Sequence, residues 1–384
     1  MKKFIRFLVL GLLVVIIFCS IYLTVRNVKL NHKYQVNIKD TNVIPVNKED
    51  KIKNLSIVMI GDVLIHKSLF NEARTDDDKY DFGYMFEKVR NLFNGYDLRF
   101  YNQESIIGGE SFKYSGYPRF NSPKEIGNEM LSMGFNLVSL ANNHALDKGE
   151  RGILNSMNYW ETKPVVTAGT YSTAEEKNTG EIYVKNGIKY AFLAYTERTN
   201  GLKAPEEKEY LVSVYSDKLA YDDIMKIKDT ADLIIVSMHW GTEYSNVPND
   251  SQKRIAAYLS SLGVDIIVGH HPHVIQPIEL VNNTLVFYSL GNFISGQDSS
   301  DKLTGLVASI NIKFIIENNV LKKEIDSINA ELVYTYHKSF KNYKVIPYNQ
   351  LTSKEFSKYK EYYKKYYKIL TSKNDRVIVT NLDE

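Results

Sequence analysis

Six of the eight histidines in the chain fall in four short segments. They are His66, His144, His239, His270, His271 and His273. Three of the four segments begin or end directly against an apolar run rich in β-branched residues. Imidazoles, carboxylates and a carboxamide at the ends of several strands assemble metal centres on α/β scaffolds. The grouping therefore predicts a metal site, whereas His32 and His337 lie among polar residues and are predicted to be solvated.

The segment His271-Pro272-His273 is the strongest of these signals. It follows a run that ends in Val268-Gly269, which is typical of a buried strand reaching a functional loop. Proline fixes its own φ and restricts the residue before it, so the two imidazoles cannot drift freely. We interpret both as metal ligands rather than as structural histidines.

Polar residues follow other apolar runs as well. Asp62 comes after residues 55–60, and Glu104 after residues 98–101. Asp62 therefore either binds a metal or caps the following helix. Glu104 either bridges two cations or lies on the surface. These two segments alone do not decide between a metal-binding and a structural role for either residue.

The Asn142-Asn143-His144 segment combines an amide oxygen with an imidazole. An amide is a ligand beside carboxylates and imidazoles, and a histidine can donate a proton to a leaving group because the unperturbed pKa of this residue type lies near neutrality. Asp147, three residues later, is placed to orient His144. The alternative is a loop held by backbone hydrogen bonds.

The body of the protein contains no cysteine, because the single cysteine of the chain is Cys19. Thiolate ligands and disulfides are thereby excluded beyond the N-terminus. Nitrogen and oxygen ligands favour Zn, Mn or Fe.

The N-terminal residues predict a membrane anchor. Residues 7–25 carry no charge, and Lys2, Lys3 and Arg6 precede them, which favours a cytoplasmic N-terminus and an extracytoplasmic body. A cleaved signal peptide is the alternative, but no small-x-small exit follows. We expect residues 1–26 to form the cytoplasmic end and anchor, and residues 27–53 to form a polar tether.

The body alternates apolar runs with helical patterns, which indicates an α/β layered fold. Its predicted domain spans residues 54–335, and 336–384 form a Lys/Tyr-rich helical extension. The Thr352 and Glu355 spacing predicts a helix start there. That helix packs against the body or lies on an anionic membrane or polymer. The net charge of +3 without a basic patch argues against nucleic acid as a partner.

In order along the chain, these segments resemble calcineurin-like metallophosphoesterases and, more closely, the CapA-type poly-γ-glutamate capsule family, a branch of that superfamily. The resemblance covers residues 55–295 and includes His239-Trp240-Gly241 and Gly291-Asn292-Phe293. It implies a layered α/β/β/α sandwich of the metallophosphoesterase type after one transmembrane helix, and a pair of divalent metal ions (Mn, Zn or Fe).

Position by position, the resemblance implies one proton donor, His144, and six metal ligands. The ligands are Asp62, Glu104, Asn143, His239, His271 and His273. The superfamily's Asp-x-His motif is here Asp62-Val63-Leu64, so His66 either supplies the missing ligand or binds a substrate anion. Glu243 is a further substrate-binding candidate, and His270 is left outside the ligand set.

The implied function is a membrane-anchored extracytoplasmic protein that makes or exports poly-γ-glutamate or a similar anionic polymer. The residues themselves predict a metal-dependent hydrolase or transferase acting on a phosphoester or amide. Two alternatives stay open, a general cell-envelope metallophosphoesterase and a non-catalytic polymer-export subunit. The expected partners are the polymer, the membrane and other membrane proteins of a capsule synthesis complex.

Overall fold

The computed structural model describes residues 36–40, 52–317 and 320–382. The predicted anchor at residues 7–25 and most of the predicted tether lie outside these residues. Within the described ranges, no helix has the length and apolar character that a membrane crossing requires.

The larger of two sheets contains nine strands of the described chain. They are β2 (Ile52–Leu64), β3 (Leu98–Gln103), β4 (Leu137–Ser139), β5 (Val166–Ala168), β12 (Asn292–Ser295), β13 (Thr304–Glu317), β14 (Val320–Tyr336), β15 (Lys344–Pro347) and β16 (Val377–Val379). Their order is β15-β14-β13-β2-β3-β4-β5, with β12 on β2 and β16 on β14. The strands from β2 to β5 are parallel, so their carboxyl ends share one edge.

The smaller sheet has seven strands in the described part of the chain. They are β1 (Val36–Asp40), β6 (Gly180–Lys185), β7 (Ile188–Thr196), β8 (Leu233–His239), β9 (Ile266–His270), β10 (Ile278–Val281) and β11 (Thr284–Phe287). Their order is β1-β6-β7-β8-β9-β11-β10. The neighbours from β7 through β8 and β9 to β11 are parallel.

The two sheets pack face to face around one apolar core. Ile57 of β2 and Phe100 of β3 share this core with Phe192 of β7 and Ile235 of β8. The rings of Phe100 and Phe192 meet edge to face with centroids 5.8 Å apart. Burial of such side chains from both layers is the main contribution to folding free energy.

Helices cover the outer faces of both sheets. The α-helices of the described residues are α1 (Lys67–Ala73), α2 (Gly83–Phe86), α3 (Glu125–Ser132), α4 (Gly149–Glu161), α5 (Ala174–Asn178), α6 (Asp217–Ile227), α7 (Asp250–Leu262) and α8 (Tyr359–Thr371). Ile126 of α3 and Trp160 of α4 are buried against the outer face of the larger sheet. Ile224 of α6 and Leu259 of α7 are buried against the outer face of the smaller sheet. The predicted mixed α/β layering is confirmed.

Helix α7 buries an apolar stripe against the smaller sheet. Asn249 and Gln252 form a reciprocal capping box at its start. Ile255 and Leu259, one turn apart, are both buried. Gly263 has φ 97°, a left-handed conformation that glycine adopts without strain, and it ends the helix.

The predicted start of the C-terminal helix at Thr352 is wrong. The backbone N–H of Thr352 does donate to Glu355 at 3.0 Å, but the two residues form a turn, and α8 begins at Tyr359. Phe356 leaves the helical path because its ring stacks on Tyr334 with centroids 4.5 Å apart. Tertiary packing thus overrides the local capping signal.

Segments outside the predicted domain also contribute to the sheets. β1 lies in the predicted tether and pairs in parallel with β6. β15 and β16, both beyond residue 336, pair with β14, so the C-terminal segment is integrated into the larger sheet. His337 is half-buried and stacks on Phe340 at 4.9 Å, which corrects its predicted solvation.

Candidate metal centre

The six predicted ligands meet at the carboxyl ends of the central strands. Asp62, Glu104 and Asn143 lie at or just after β2, β3 and β4. His239 ends β8, and His271 and His273 follow β9. Parallel strands bring their carboxyl ends to one edge, where ligand sites form in α/β folds. All six side chains are buried.

Glu104, His271 and His273 form the centre of the group. Each offers a ligand atom, and these atoms lie within 4.8 Å of one another. Both carboxylate oxygens of Glu104 and Nδ1 of His271 are buried without a hydrogen-bond partner. Buried polar atoms in folded proteins are nearly always satisfied. These unsatisfied donor atoms therefore fit a cation, and their oxygen and nitrogen chemistry fits a divalent ion.

Asp62 and His273 are close to each other and to Glu104. Nδ1 of His273 is 3.5 Å from Oδ2 of Asp62, and its Nε2 is 3.7 Å from Oε1 of Glu104. Nδ1 also donates to Oδ1 of Asn292 at 2.9 Å. Because that hydrogen bond occupies Nδ1, the Nε2 atom is free to bind a metal.

Asn143, His239 and His271 form a second set of neighbouring side chains. Nε2 of His239 is 3.0 Å from Oδ1 of Asn143 and 3.5 Å from Oε1 of Glu104. The rings of His239 and His271 have centroids 4.9 Å apart. One oxygen of Glu104 thus lies within 3.7 Å of both His239 and His273, as is expected of a residue shared by two cations.

The backbone of the His271-Pro272-His273 segment is unusual. His271 has φ 92° and His273 has φ 56°, both in the left-handed region that costs free energy for residues other than glycine. The carbonyl of Pro272 accepts the backbone N–H of Tyr244 at 2.8 Å, which helps to hold the segment. Strain of this kind is typical of functional sites.

A glycine directly before Asp62 permits close approach of the neighbouring chain. A Cβ atom at Gly61 would lie 1.9 Å from the carbonyl oxygen of Gly291. That carbonyl accepts the backbone N–H of Asp62 at 3.0 Å. A larger residue at position 61 would displace the strand that carries Asp62.

The carboxylates have opposite pKa shifts. Burial opposes ionisation of Asp62, but hydrogen bonds from His270 and His273 outweigh it and hold its pKa well below the ordinary value. Burial raises the pKa of Glu104 well above the ordinary value, and the charge of Asp62 adds to the rise. Without a metal, Asp62 is thus the charged member of the pair.

The pKa values of His271 and His273 are shifted in opposite directions as well. Burial lowers the pKa of His271 to about 3, with the charges of His273 and Arg198 acting in the same direction. Burial also disfavours the charged form of His273, but Glu104 and Asp62 outweigh it and raise its pKa to about 9. A divalent cation requires a deprotonated Glu104 and a neutral His273, so its binding would release protons.

His144 forms a buried pair with Asp147 beside the centre. Nδ1 of His144 lies 2.7 Å from Oδ2 of Asp147. The ring of His144 meets that of Phe120 edge to face at 4.6 Å. The carboxylate orients the imidazole, which is the arrangement of a positioned acid or base.

His66 lies near His144 rather than within the carboxylate–histidine group. Its ring contacts Phe120 at 5.2 Å, the same ring that packs on His144. Its Nδ1 accepts the backbone N–H of Gly296 at 3.1 Å. Burial lowers its pKa to about 4. Glu243 is exposed on the loop after β8, next to Tyr244.

Residues 56–297 match the model of the family described as bacterial capsule synthesis protein PGA_cap. The chain belongs to this family. It is 32% identical over 247 residues to the PGA biosynthesis protein CapA of Bacillus subtilis, covering 63% of this chain and 64% of that protein. It is 30% identical over 267 residues to the capsule biosynthesis protein CapA of Bacillus anthracis, covering 66% and 63%.

A more distant relative is a probable polyglutamine synthesis accessory protein of Mycobacterium tuberculosis, 23% identical over 175 residues and covering 41% of this chain and 44% of that protein. The aligned part spans a little under two thirds of each Bacillus relative. The match with the capsule synthesis family includes every predicted ligand and the His144–Asp147 pair.

Three residues that were not predicted as site residues hold the ligands in place. Nδ1 of His270 lies 3.1 Å from Oδ1 of Asp62, and Nδ2 of Asn102 donates to the same oxygen at 2.8 Å. Asn292 accepts from His273, as described above. Asn102 could have been found from strand alternation, because it lies two residues before Glu104 and so on the same face.

Proposed function

We propose that this chain is a metal-dependent hydrolase or transferase of capsule biosynthesis, acting on poly-γ-glutamate or a similar anionic polymer. One observation carries the metal dependence. The carboxylate of Glu104 is buried without a hydrogen-bond partner, and its Oε1 lies 3.5 Å from Nε2 of His239 and 3.7 Å from Nε2 of His273. Membership of the capsule synthesis family supports the biosynthetic role.

The proposed centre holds two divalent ions of Mn, Zn or Fe in a fold of the metallophosphoesterase type. Asp62 and His273 would bind one ion, and Asn143, His239 and His271 the other. Glu104 would be shared between them. When bound, such ions polarise the bond to be broken and lower the pKa of water.

His144 is the proposed proton donor to the leaving group, oriented by Asp147. Their 2.7 Å contact supports an enzyme rather than a purely polymer-holding export subunit. His66 and Glu243 are proposed to contact the substrate near the centre. Residues 7–25 would anchor the protein in the membrane with its body outside the cytoplasm, beside other membrane proteins of a capsule synthesis complex.

A general phosphoesterase of the cell envelope is a second candidate. The paired donor groups around Glu104 favour it, because two-metal sites also serve phosphate ester hydrolysis. Its substrate would be a phosphoester rather than the amide of a polymer, so the two candidates differ in the bond that is cut.

The deciding experiment uses the full chain purified in detergent and loaded with Mn, Zn or Fe. Elemental analysis gives the metal content, and size-exclusion chromatography follows the length of poly-γ-glutamate. We expect bound metal and a metal-dependent change of polymer length, with slow hydrolysis of bis-p-nitrophenyl phosphate. Rapid phosphodiester hydrolysis with unchanged polymer would favour the second candidate, and absence of bound metal would disprove both.

A further inference from the structure

Lys302 and Tyr244 form a cation–aromatic pair at the edge of the candidate metal centre, here called the rim pair. The ammonium of Lys302 lies 4.7 Å from the centroid of the Tyr244 ring. That ring in turn lies 6.1 Å from the ring of His273. Tyr244 is 52% exposed, so the pair stands between the buried histidines and solvent.

Among the described residues, no carboxylate forms an ion pair with Lys302. Its neighbour Asp301 pairs with Lys365. Lys302 is half-buried, and the ring of Tyr244 covers one side of its ammonium. A partly desolvated ammonium on an aromatic face attracts an anion more strongly than a free surface lysine does.

The backbone of Lys302 is tied to the proposed ligand His273. Nδ2 of Asn292 donates to the carbonyl oxygen of Lys302 at 2.9 Å. Oδ1 of the same asparagine accepts from Nδ1 of His273 at 2.9 Å. One side chain thus sets the position of both residues.

Helix α8 fixes the two loops that carry the rim pair. The hydroxyl of Tyr366 donates to Asp301 at 2.6 Å, one residue before Lys302. The side chain of Asn246, two residues after Tyr244, lies beside the same hydroxyl. The rim pair is therefore held in place rather than carried on free loops.

A second cation, Arg198, lies on the loop after β7. Its guanidinium donates to the carbonyl oxygen of Gly241 at 2.9 Å, two residues after His239. Lys302 and Arg198 are therefore both held near histidines of the candidate metal centre.

We propose that Lys302, supported by the ring of Tyr244, binds a carboxylate of the polymer and makes the site selective for acidic over neutral chains. This inference rests on the proposed function, since it names the group of the substrate that the site recognises. Lys302 lies beyond residues 56–297, so the family match assigns it no role.

The test compares Lys302→Gln, Lys302→Arg and a control, Lys322→Gln, in the metal-loaded full chain. Lys322 pairs in the sheet with Ile315, which in turn pairs with Ile52 at the start of β2, at the end of the sheet opposite Asp62. The probes are fluorescent oligo-γ-glutamate and the same oligomer with its side carboxylates amidated.

We expect Lys302→Gln to weaken binding of the acidic oligomer by about tenfold and to reduce its salt dependence. Lys302→Arg should restore most of the affinity, and Lys322→Gln should match the wild type. The amidated oligomer should bind all variants equally. Wild-type affinity in Lys302→Gln, equal losses for both oligomers, or no binding of the acidic oligomer by the wild type would overturn the inference.

Metal content and polymer length are measured on the same samples. A wild type that binds the acidic oligomer through Lys302 but changes no polymer would disprove the proposed catalysis and support the carboxylate site. An active, metal-loaded enzyme whose affinity for the acidic oligomer does not depend on Lys302 would support the proposed catalysis and disprove the carboxylate site. The two failures are therefore distinguishable.

Discussion

Nδ1 of His144 lies 2.7 Å from Oδ2 of Asp147, and the same carboxylate oxygen accepts the backbone N–H of Phe120 at 2.6 Å. The carboxylate is thus held by the backbone on one side and holds the imidazole on the other. Because Asp147 occupies Nδ1, the Nε2 atom of His144 is the one available for proton transfer.

Replacing His144 should abolish most of the activity without removing metal. We expect His144→Ala to lower kcat by about 100-fold or more, the range of a lost general acid. Asp147→Asn keeps an oxygen for the N–H of Phe120 but removes the charge, so it should lower kcat less. The measurement is the metal-dependent rate of polymer shortening together with elemental analysis. Wild-type kcat in His144→Ala would disprove its role.

Replacing a ligand should instead remove metal. His271→Ala deletes one of the donors around Glu104, and we expect at least about 100-fold weaker metal affinity, since loss of supporting residues alone costs 10–100-fold. His337→Ala is the matched control, because His337 stacks on Phe340 instead. Competition with a calibrated chelator gives both affinities. Equal affinities in the two variants would contradict the ligand assignment.

Stability of the metal-free protein should fall as pH rises through the neutral range. His273 has its pKa raised from 6.5 to about 9 in the folded state, so the folded protein holds this proton more tightly than the unfolded chain. Its contribution is complete below pH 6.5 and is lost as pH approaches about 9. The loss should reach about 3 kcal/mol at most.

Urea unfolding between pH 6 and 9 in the presence of chelator measures this decline. Glu104, whose pKa is also raised, acts in the same direction, so the comparison is with His273→Gln, which should show a shallower slope. Metal-loaded protein should not show the decline, because metal competes with protons for these groups. Identical slopes for the two metal-free proteins would refute the assignment.

Loosening α8 should affect the distant rim pair. Tyr366→Phe removes the hydroxyl that bonds Asp301, and we expect the free energy of unfolding to fall by about 1–2 kcal/mol. Binding of oligo-γ-glutamate should weaken as well, because Lys302 loses part of its positioning. Tyr367→Phe on the exposed side of the same helix is the control. An unchanged polymer affinity in Tyr366→Phe would show that α8 does not position Lys302.

Much of the fold could be predicted because apolar runs and helical patterns in the sequence mark its strands and helices. Apolar runs such as residues 233–238 and 266–268 are strands, and the polar residues that follow them meet at one edge. Parallel pairing of buried strands follows from their composition and from the intervening helices. The polar residues at these strand ends were candidate ligands on that ground, and the resemblance to the capsule family implied the set of six.

Contacts between distant parts of the chain could not be predicted in this way. β16 is three residues long, and its place beside β14 depends on pairing partners about fifty residues apart. His270 was left outside the predicted ligand set, yet its Nδ1 lies 3.1 Å from Oδ1 of Asp62 on the other sheet. The predicted helix start at Thr352 was wrong for a similar reason, because Phe356 stacks on Tyr334 of β14 instead of continuing a helix.

The six proposed ligands divide evenly between the two layers. Asp62, Glu104 and Asn143 follow strands of the larger sheet, whereas His239, His271 and His273 follow strands of the smaller one. Cations bound to both sets would cross-link the layers across their shared core. Metal uptake would then report on the docking of the sheets, and any substitution that separates them would lower metal affinity without touching a ligand.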